Sequence, residues 1–282
     1  MRFRLVARGR LVVPVMVLIV LAELGSALII AADAASAQST SAYRLDVYRE
    51  SGLLISGAGL LFGGLAVQSN QQPLTQAEIE ALDRNQVNWL DRSATEQWST
   101  GADLASDVLL VTSVASPLVL TIAEARGGEG VRVGIMYAES VLLNNGIVQL
   151  LKGVTDRTRP FAYNDDPGIP EEKKMEKTTR RSFPSGHTGN AFAAAVFLAS
   201  TYSRLHPESP ARKWVWAGSL TAATATGFLR YEAGRHFPTD IIAGAVVGAS
   251  LGYLVPKLHE TGNVYVTPSS GGVTLGVVIG FH

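Results

Sequence analysis

The sequence contains no cysteine, which excludes a disulfide framework, a thiolate nucleophile and a thiolate-bound zinc, and leaves redox compartment unmarked. Aromatic residues are few, at 7%, and charged residues fewer than usual, at 17%. There is also no surplus of either sign: 24 Lys and Arg stand against 24 Asp and Glu. Neither a broad basic field for nucleic acid nor an acidic solvating tail is therefore expected, and any electrostatic work must be local. What the 282 residues do contain is 47% hydrophobic side chains and 28 glycines. That composition excludes disorder and suits one large domain or two small ones.

The N-terminal segment reads as an address. Arg2, Arg4, Arg8 and Arg10 precede an almost wholly apolar run at 11–30, and Ala35, Ser36 and Ala37 supply the small residues of a cleavage pattern. Residues 1–37 are thus expected to be a cleaved signal peptide. The alternative is an uncleaved anchor helix, which has about the ~20 residues a span needs but is interrupted by Pro14, Glu23 and Gly25. The rest divides into a helical domain at 38–260 and a tail at 261–282.

Within that domain the spacing predicts a Gly-rich helix over 53–67, and Thr75 with Glu78 has the capping-box spacing of a short amphipathic helix running through Trp89. Apolar stretches at 103–125 and 131–152, joined by Arg126-Gly-Gly-Glu-Gly130, predict a helical hairpin. A charged loop at 161–181, whose run of acids and bases at 171–177 reads as solvated surface, precedes three more helices over 188–205, 213–229 and 239–254. The β-prone segments at 264–266 and 273–279 flank a Pro-Ser-Ser-Gly-Gly turn and predict a hairpin. The expected fold is a mostly α multi-helix bundle with a short C-terminal β-hairpin.

Three segments put phosphate-compatible groups at helix boundaries. In the first, Lys152 and Arg159 lie seven apart at a helix end before Pro160 stops the helix; a point charge and a planar donor fork suit phosphate oxygens, although a basic helix end matched to its own dipole has the same look. The second, Ser182-Phe-Pro-Ser-Gly-His187, precedes a small-residue helix. There the amides near Ser185 and Gly186 and the Ser185 hydroxyl could receive an oxyanion beside His187, or Pro-Ser-Gly could be ordinary turn-and-cap chemistry. In the third, Arg230 to Asp240, His236 and Asp240 are four apart, so the carboxylate can orient the imidazole, or can serve only as a dipole partner.

Together the three resemble the signature of the type 2 phosphatidic acid phosphatase superfamily, which includes bacterial nonspecific acid phosphatases and vanadium haloperoxidases. The family pattern Lys-x6-Arg-Pro, Pro-Ser-Gly-His and Ser-Arg-x5-His-x3-Asp is matched at 152–160, 184–187 and 230–240, with Leu229 standing where the family usually has Ser. The resemblance implies His236 as nucleophile oriented by Asp240, His187 as general acid, and a phosphate cage of Lys152, Arg159, Ser185, Gly186 and Arg230. Such a cage suits phosphoryl transfer, whose negative charge spreads over three oxygens.

No cofactor or metal is expected, because three cations line the cage and no acid or histidine cluster of ligand spacing stands out. Arg157, Arg180, Arg181 and Arg235, beside the motifs, read as solvated charges, and His206, His259 and His282 receive no role. The expectation is a metal-independent phosphatase of phosphomonoesters or lipid phosphates and diphosphates acting through a phosphohistidine. A vanadate-dependent haloperoxidase and a non-catalytic helical envelope protein are the alternatives. Expected partners are a phosphorylated small molecule or lipid and a membrane, with no nucleic acid; oligomeric state is not legible. The segment at 53–67 is short for a span, and 131–152 carries several polar residues. The preferred location is therefore the cell envelope with the site facing the periplasm, and integral insertion in the inner membrane is second.

Overall fold

Side-chain caps set where four of the eight described α-helices begin. In a computed structural model, which describes residues 41–125, 128–261, 264–269 and 272–277, the carboxylate of Asp46 accepts from the Tyr48 and Arg49 amides and opens α1 (Val47–Ser69). The Thr75–Glu78 capping box opens α2 (Gln76–Glu80), and Ser99 caps α3 (Thr100–Ala123). The helices α4 (Glu129–Thr155) and α5 (Glu171–Lys174) follow, then α6 (Gly186–Leu205) behind Ser185, α7 (Arg212–Glu232), and α8 (Pro238–His259) with proline in its first turn. Two antiparallel strands, β1 (Val264–Ser269) and β2 (Gly272–Val277), pair with Val264 opposite Val277. The architecture is mostly helical. The leader expected at 1–37, the first two residues of the 126–130 link and the turn at 270–271 lie outside the described residues.

Two expectations about length need correction. The capping-box helix does not reach Trp89: α2 ends at Glu80, and the chain goes on through 3-10 turns at Arg84–Gln86 and Arg92–Glu96. Asp83 takes the Asn85 amide and Asn88 takes those of Leu90 and Asp91, local bonds that compete with a helix ladder. Conversely, α1 begins at Val47 rather than near Leu53, because Asp46 supplies the cap.

The helices assemble around α6, which packs against α3, α4, α7 and α8. Its small side chains permit this: Ala191, Ala193, Ala194, Ala195 and Ala199 are all buried, so four neighbours can approach one helix. The closest approach is to α8, where Gly244, Gly248 and Gly252 lie four apart on one face; a Cβ at Gly248 would run into the Gly189 carbonyl. A second layer pairs α1 with α4, and Tyr43, Met136, Tyr137, Phe197 and Val255 fill the core between them and α6.

Three helices, α1, α3 and α8, are long and apolar enough to cross a membrane. Ile55, Val111, Val119, Ile122, Ile242 and Val246 are exposed on them, an outward apolar surface that fits membrane association. At 23 residues α1 spans the length that 53–67 alone would not.

Gly248→Ala is expected to lower stability by about 1–3 kcal/mol through overpacking against α6. Gly218→Ala on α7, where a Cβ meets nothing within 4 Å, should be neutral or stabilise by roughly 0.5–1 kcal/mol. Thermal or denaturant unfolding of both variants checks the contrast; equal effects would contradict the close α6–α8 contact.

Candidate active site

Helix ends build the site. The last turn of α4 carries Lys152, buried, with Nζ donating to the Arg181 carbonyl at 2.7 Å. Asp156 then takes a left-handed conformation (φ 45°) and turns the chain out of the helix. Arg159 follows, its amide and its Nε held by the carbonyls of Thr179 and Thr178 at 2.8 and 3.0 Å, before Pro160 opens a 3-10 turn.

The start of α6 contributes Ser185, Gly186 and His187. Ser185 is buried; its hydroxyl oxygen caps Thr188 and stays available as a donor of its own hydrogen. A Cβ at Gly186 would stand 3.8 Å from Lys152 Cε, so the missing side chain keeps α6 close to the cation. The Ser185 amide is not free, as the sequence suggested, because it donates to the Asp240 carbonyl at 2.9 Å. Gly186 remains as the amide source at this helix start.

Arg230 closes α7, and Gly234 with φ 65° reverses the chain against the Gln97 carbonyl to bring His236 back to the site. The imidazole is buried, and its Nδ1 lies 3.6 Å from Asp240 Oδ2. That is ion-pair distance rather than a hydrogen bond. Asp240, in the first turn of α8, instead accepts from Ser182 Oγ, the Phe237 amide (2.9 Å) and Arg157.

Electrostatics separate the two imidazoles from ordinary histidine. Burial, and then the charges of Lys152, Arg159 and Arg230, hold His236 well below the usual range, so its ring is neutral. His187 is pushed down to about 4 by burial and Arg230, while Asp107, whose Oδ1 lies 2.7 Å from His187 Nε2, pulls the other way. Burial and the neighbouring cations also disfavour the charges of Lys152 and Arg159. An incoming anion would relieve all of these together.

The four arginines expected to be solvated are all engaged. Arg157 joins Asp91 (2.7 Å) to Asp240 and lies over the Phe237 ring at 4.2 Å, and Arg235 pairs with Asp103. Arg180 bonds Glu78 and Asp156, and Arg181 bonds Gln71 and the Gln68 carbonyl. Lys174, in the run read as solvated, is buried and donates to the Asn164 carbonyl. In each case an acid or carbonyl distant in sequence has come within reach.

Sequence reasoning also missed the acidic side of the site. Asp103 accepts from Arg230 at 2.6 Å, Ser106 adds a bond to the same nitrogen at 3.0 Å, and Asp107 faces His187. The signal was present, since two acids four apart in an otherwise apolar helix share one face and need a polar partner. Asp91, wholly buried, accepts from Thr239 and Arg157, and only the tertiary contact reveals it. The carboxylates here are occupied by arginine and hydroxyl donors; among the described residues, the acid and histidine group spaced to hold a metal ion lies elsewhere.

Three basic side chains around a buried imidazole are an arrangement that could receive an oxyanion. Residues 134–263 match the model of the PAP2 superfamily. The chain is 29% identical over 133 residues to an undecaprenyl-diphosphatase of Sulfolobus acidocaldarius, covering 47% of this chain and 58% of that protein. It is 36% identical over 88 residues to a lipid A 1-phosphatase of Porphyromonas gingivalis, covering 30% and 18%. A probable diacylglycerol pyrophosphate phosphatase of Schizosaccharomyces pombe is 29% identical over 142 residues, covering 44% and 51%. The matches thus span less than two thirds of each relative. Among solved structures, a transmembrane PAP2-type phosphatidylglycerolphosphate phosphatase of Bacillus subtilis aligns over 72% of this chain and 96% of its own, at 20% identity and TM-score 0.44.

Asp107→Asn removes the carboxylate that opposes the downward pressure on His187, so the imidazole becomes harder to protonate. If His187 supplies the proton in turnover, the alkaline limb of the kcat profile should move to lower pH in this variant with the acid limb unmoved. Phosphate release measured across pH decides this, and an unchanged alkaline limb would remove His187 from the role.

Proposed function

We propose that the chain is a phosphatase that cleaves phosphate esters through a phosphohistidine at His236, without a catalytic metal. The observation that carries this reading is the buried His236 ring among Lys152, Arg159 and Arg230, whose charges together with burial disfavour its protonation. A neutral imidazole can attack phosphorus, and fixed cations stabilise the charge that accumulates on the transferring oxygens. Asp240 beside Nδ1 favours the imidazole as it becomes cationic. His187, once an anion offsets its cationic neighbours, gives its proton to the leaving oxygen and can then activate the water that releases phosphate. Ser185 Oγ and the Gly186 amide complete the cage at the start of α6.

The substrate in this proposal is a lipid phosphate or diphosphate. Support comes from the relatives, named as an undecaprenyl-diphosphatase, a lipid A 1-phosphatase and a probable diacylglycerol pyrophosphate phosphatase, and from the apolar surfaces of α1, α3 and α8. The proposed domains are a leader at 1–37, the phosphatase at 38–260 and the tail at 261–282, exported with the site facing the periplasm. Topology constrains that location. The site lies where α1 ends and α3 and α8 begin, so a leader that carries residue 38 outside, followed by a crossing α1, would put the site inside. The export proposal therefore requires α1 to lie against the membrane rather than through it. A protease site introduced beside Trp89, an exposed residue of the α2–α3 connection on the site's end, should be cut in intact spheroplasts; protection until lysis would reverse the orientation.

His236→Ala is expected to lower phosphate release about 10³-fold or more and to abolish acid-labile phosphate on the protein after rapid quenching. His187→Ala should cost about 10²–10⁴-fold and leave phosphoenzyme detectable with an activated leaving group. Undiminished turnover in the first variant would reject the nucleophile.

A further inference from the structure

Three buried groups that the phosphate chemistry does not use meet at the far end of the bundle. Glu50 lies in the first turn of α1, Glu139 lies within α4, and His259 is the last residue of α8. The nineteen positions between Asp240 and His259 correspond to about 28 Å of helix at ~1.5 Å per residue, so this cluster is separate from the phosphate site.

His259 Nδ1 lies 2.7 Å from the Val255 carbonyl, an acceptor only, so Nδ1 carries the hydrogen and Nε2 points away from its own helix. Nε2 lies 2.9 Å from Glu50 Oε1 and 3.2 Å from Glu139 Oε2, yet it makes no directed hydrogen bond to either. Both Glu139 oxygens also lack a donor, although that residue is wholly buried. Glu50 differs, because the Asp46 amide reaches its Oε2 at 2.8 Å and Arg49 reaches its Oε1 at 2.8 Å. Arg49 also binds the Leu258 carbonyl, and no donor of Arg49 reaches a Glu139 oxygen.

Converging electron pairs in a dry interior repel unless something positive sits among them. We propose that Glu50, Glu139 and His259 form a binding site for one divalent transition-metal ion of the zinc or manganese kind, which clamps α1, α4 and α8 together. The ligand atoms all lie within 4.8 Å of one another. Separations of 2.9 and 3.2 Å match adjacent ligands around an ion held at ~2.1 Å. Glu139 can offer both oxygens, making four donor atoms. An imidazole with carboxylates suits zinc or manganese better than calcium or magnesium, which favour all-oxygen shells. The Val255 carbonyl supplies the outer contact that fixes a ligating imidazole.

The test uses full-length protein dialysed against EDTA, then equilibrated with zinc, manganese or magnesium chloride and desalted. Metal analysis should find about one equivalent of zinc or manganese per chain and none of magnesium, with the melting temperature raised by several degrees. Glu139→Gln and His259→Gln should each lose the bound equivalent, whereas His206→Ala, which alters a different histidine–acid pair, should keep it. Should the first two variants fail to fold, cobalt added to the stripped wild type reports directly, through a visible absorption band that zinc abolishes. Retention of less than about a tenth of an equivalent by wild type, with no thermal shift, would overturn the proposal and leave a shared proton in the gap. So would binding that survives Glu139→Gln and His259→Gln.

Discussion

The buried carboxylate of Asp240 is the constraint on which the phosphate end depends. It is wholly buried, so protein donors must surround it, and those donors come from the loop after α4 (Arg157), the loop before α6 (Ser182) and the chain entering α8 (Phe237 amide). Its backbone carbonyl also takes the Ser185 amide. One residue therefore fixes the mutual position of all three motif segments, and His236 is aligned as a by-product. Removing any donor would strand a buried charge, which costs more than the lost bond alone. Arg157 is held in turn by Asp91, so the network reaches a loop that no motif marks.

The same constraint explains why so many helix ends meet in one place. A cage for a tetrahedral anion needs donors from several directions, and each end brings either free amides or a terminal side chain that points beyond the helix. Bringing the ends together requires the axes to approach closely. Alanines on α6 and glycines on α8 do this, by giving up side-chain volume so that backbone lies against backbone. Precision at the phosphate site thus depends on residues that carry no chemistry.

How much of this was legible in the sequence follows from how local each feature is. Six long helices were readable from apolar runs, because burial imposes its period on the residues themselves. Motif spacing placed Lys152, Arg159, Arg230, His187 and His236 at helix boundaries, and they lie there; the phosphate cage they would form is the proposal made above. The short reach of α2 was not, since Asp83 and Asn88 capture their neighbours' amides in a way that the capping box upstream does not reveal. Nor were the partners of Arg157 and Arg235, because Asp91 and Asp103 are more than sixty positions away. His259 received no role because its partners lie on two other helices; nothing near it in sequence predicts them.

The cations of the cage are not equivalent, and the difference says where a ligand's charge is needed. Arg230 already has Asp103, and Arg157 and Arg235 have acids of their own. Lys152 and Arg159 have only carbonyl partners, and no ion pair involves either among the described residues. Carbonyls orient a cation without cancelling it, and Asp240 acts on both charges without pairing with either, in a site where burial penalises them. A neutral molecule in the pocket would displace water and leave that penalty standing, whereas an anion removes it. On the proposed reading, an anion gains from relief of that penalty as well as from new contacts. In the proposed mechanism the pair from the first motif would chiefly select the charge, and Arg230, locked by Asp103 and Ser106, would chiefly fix the orientation.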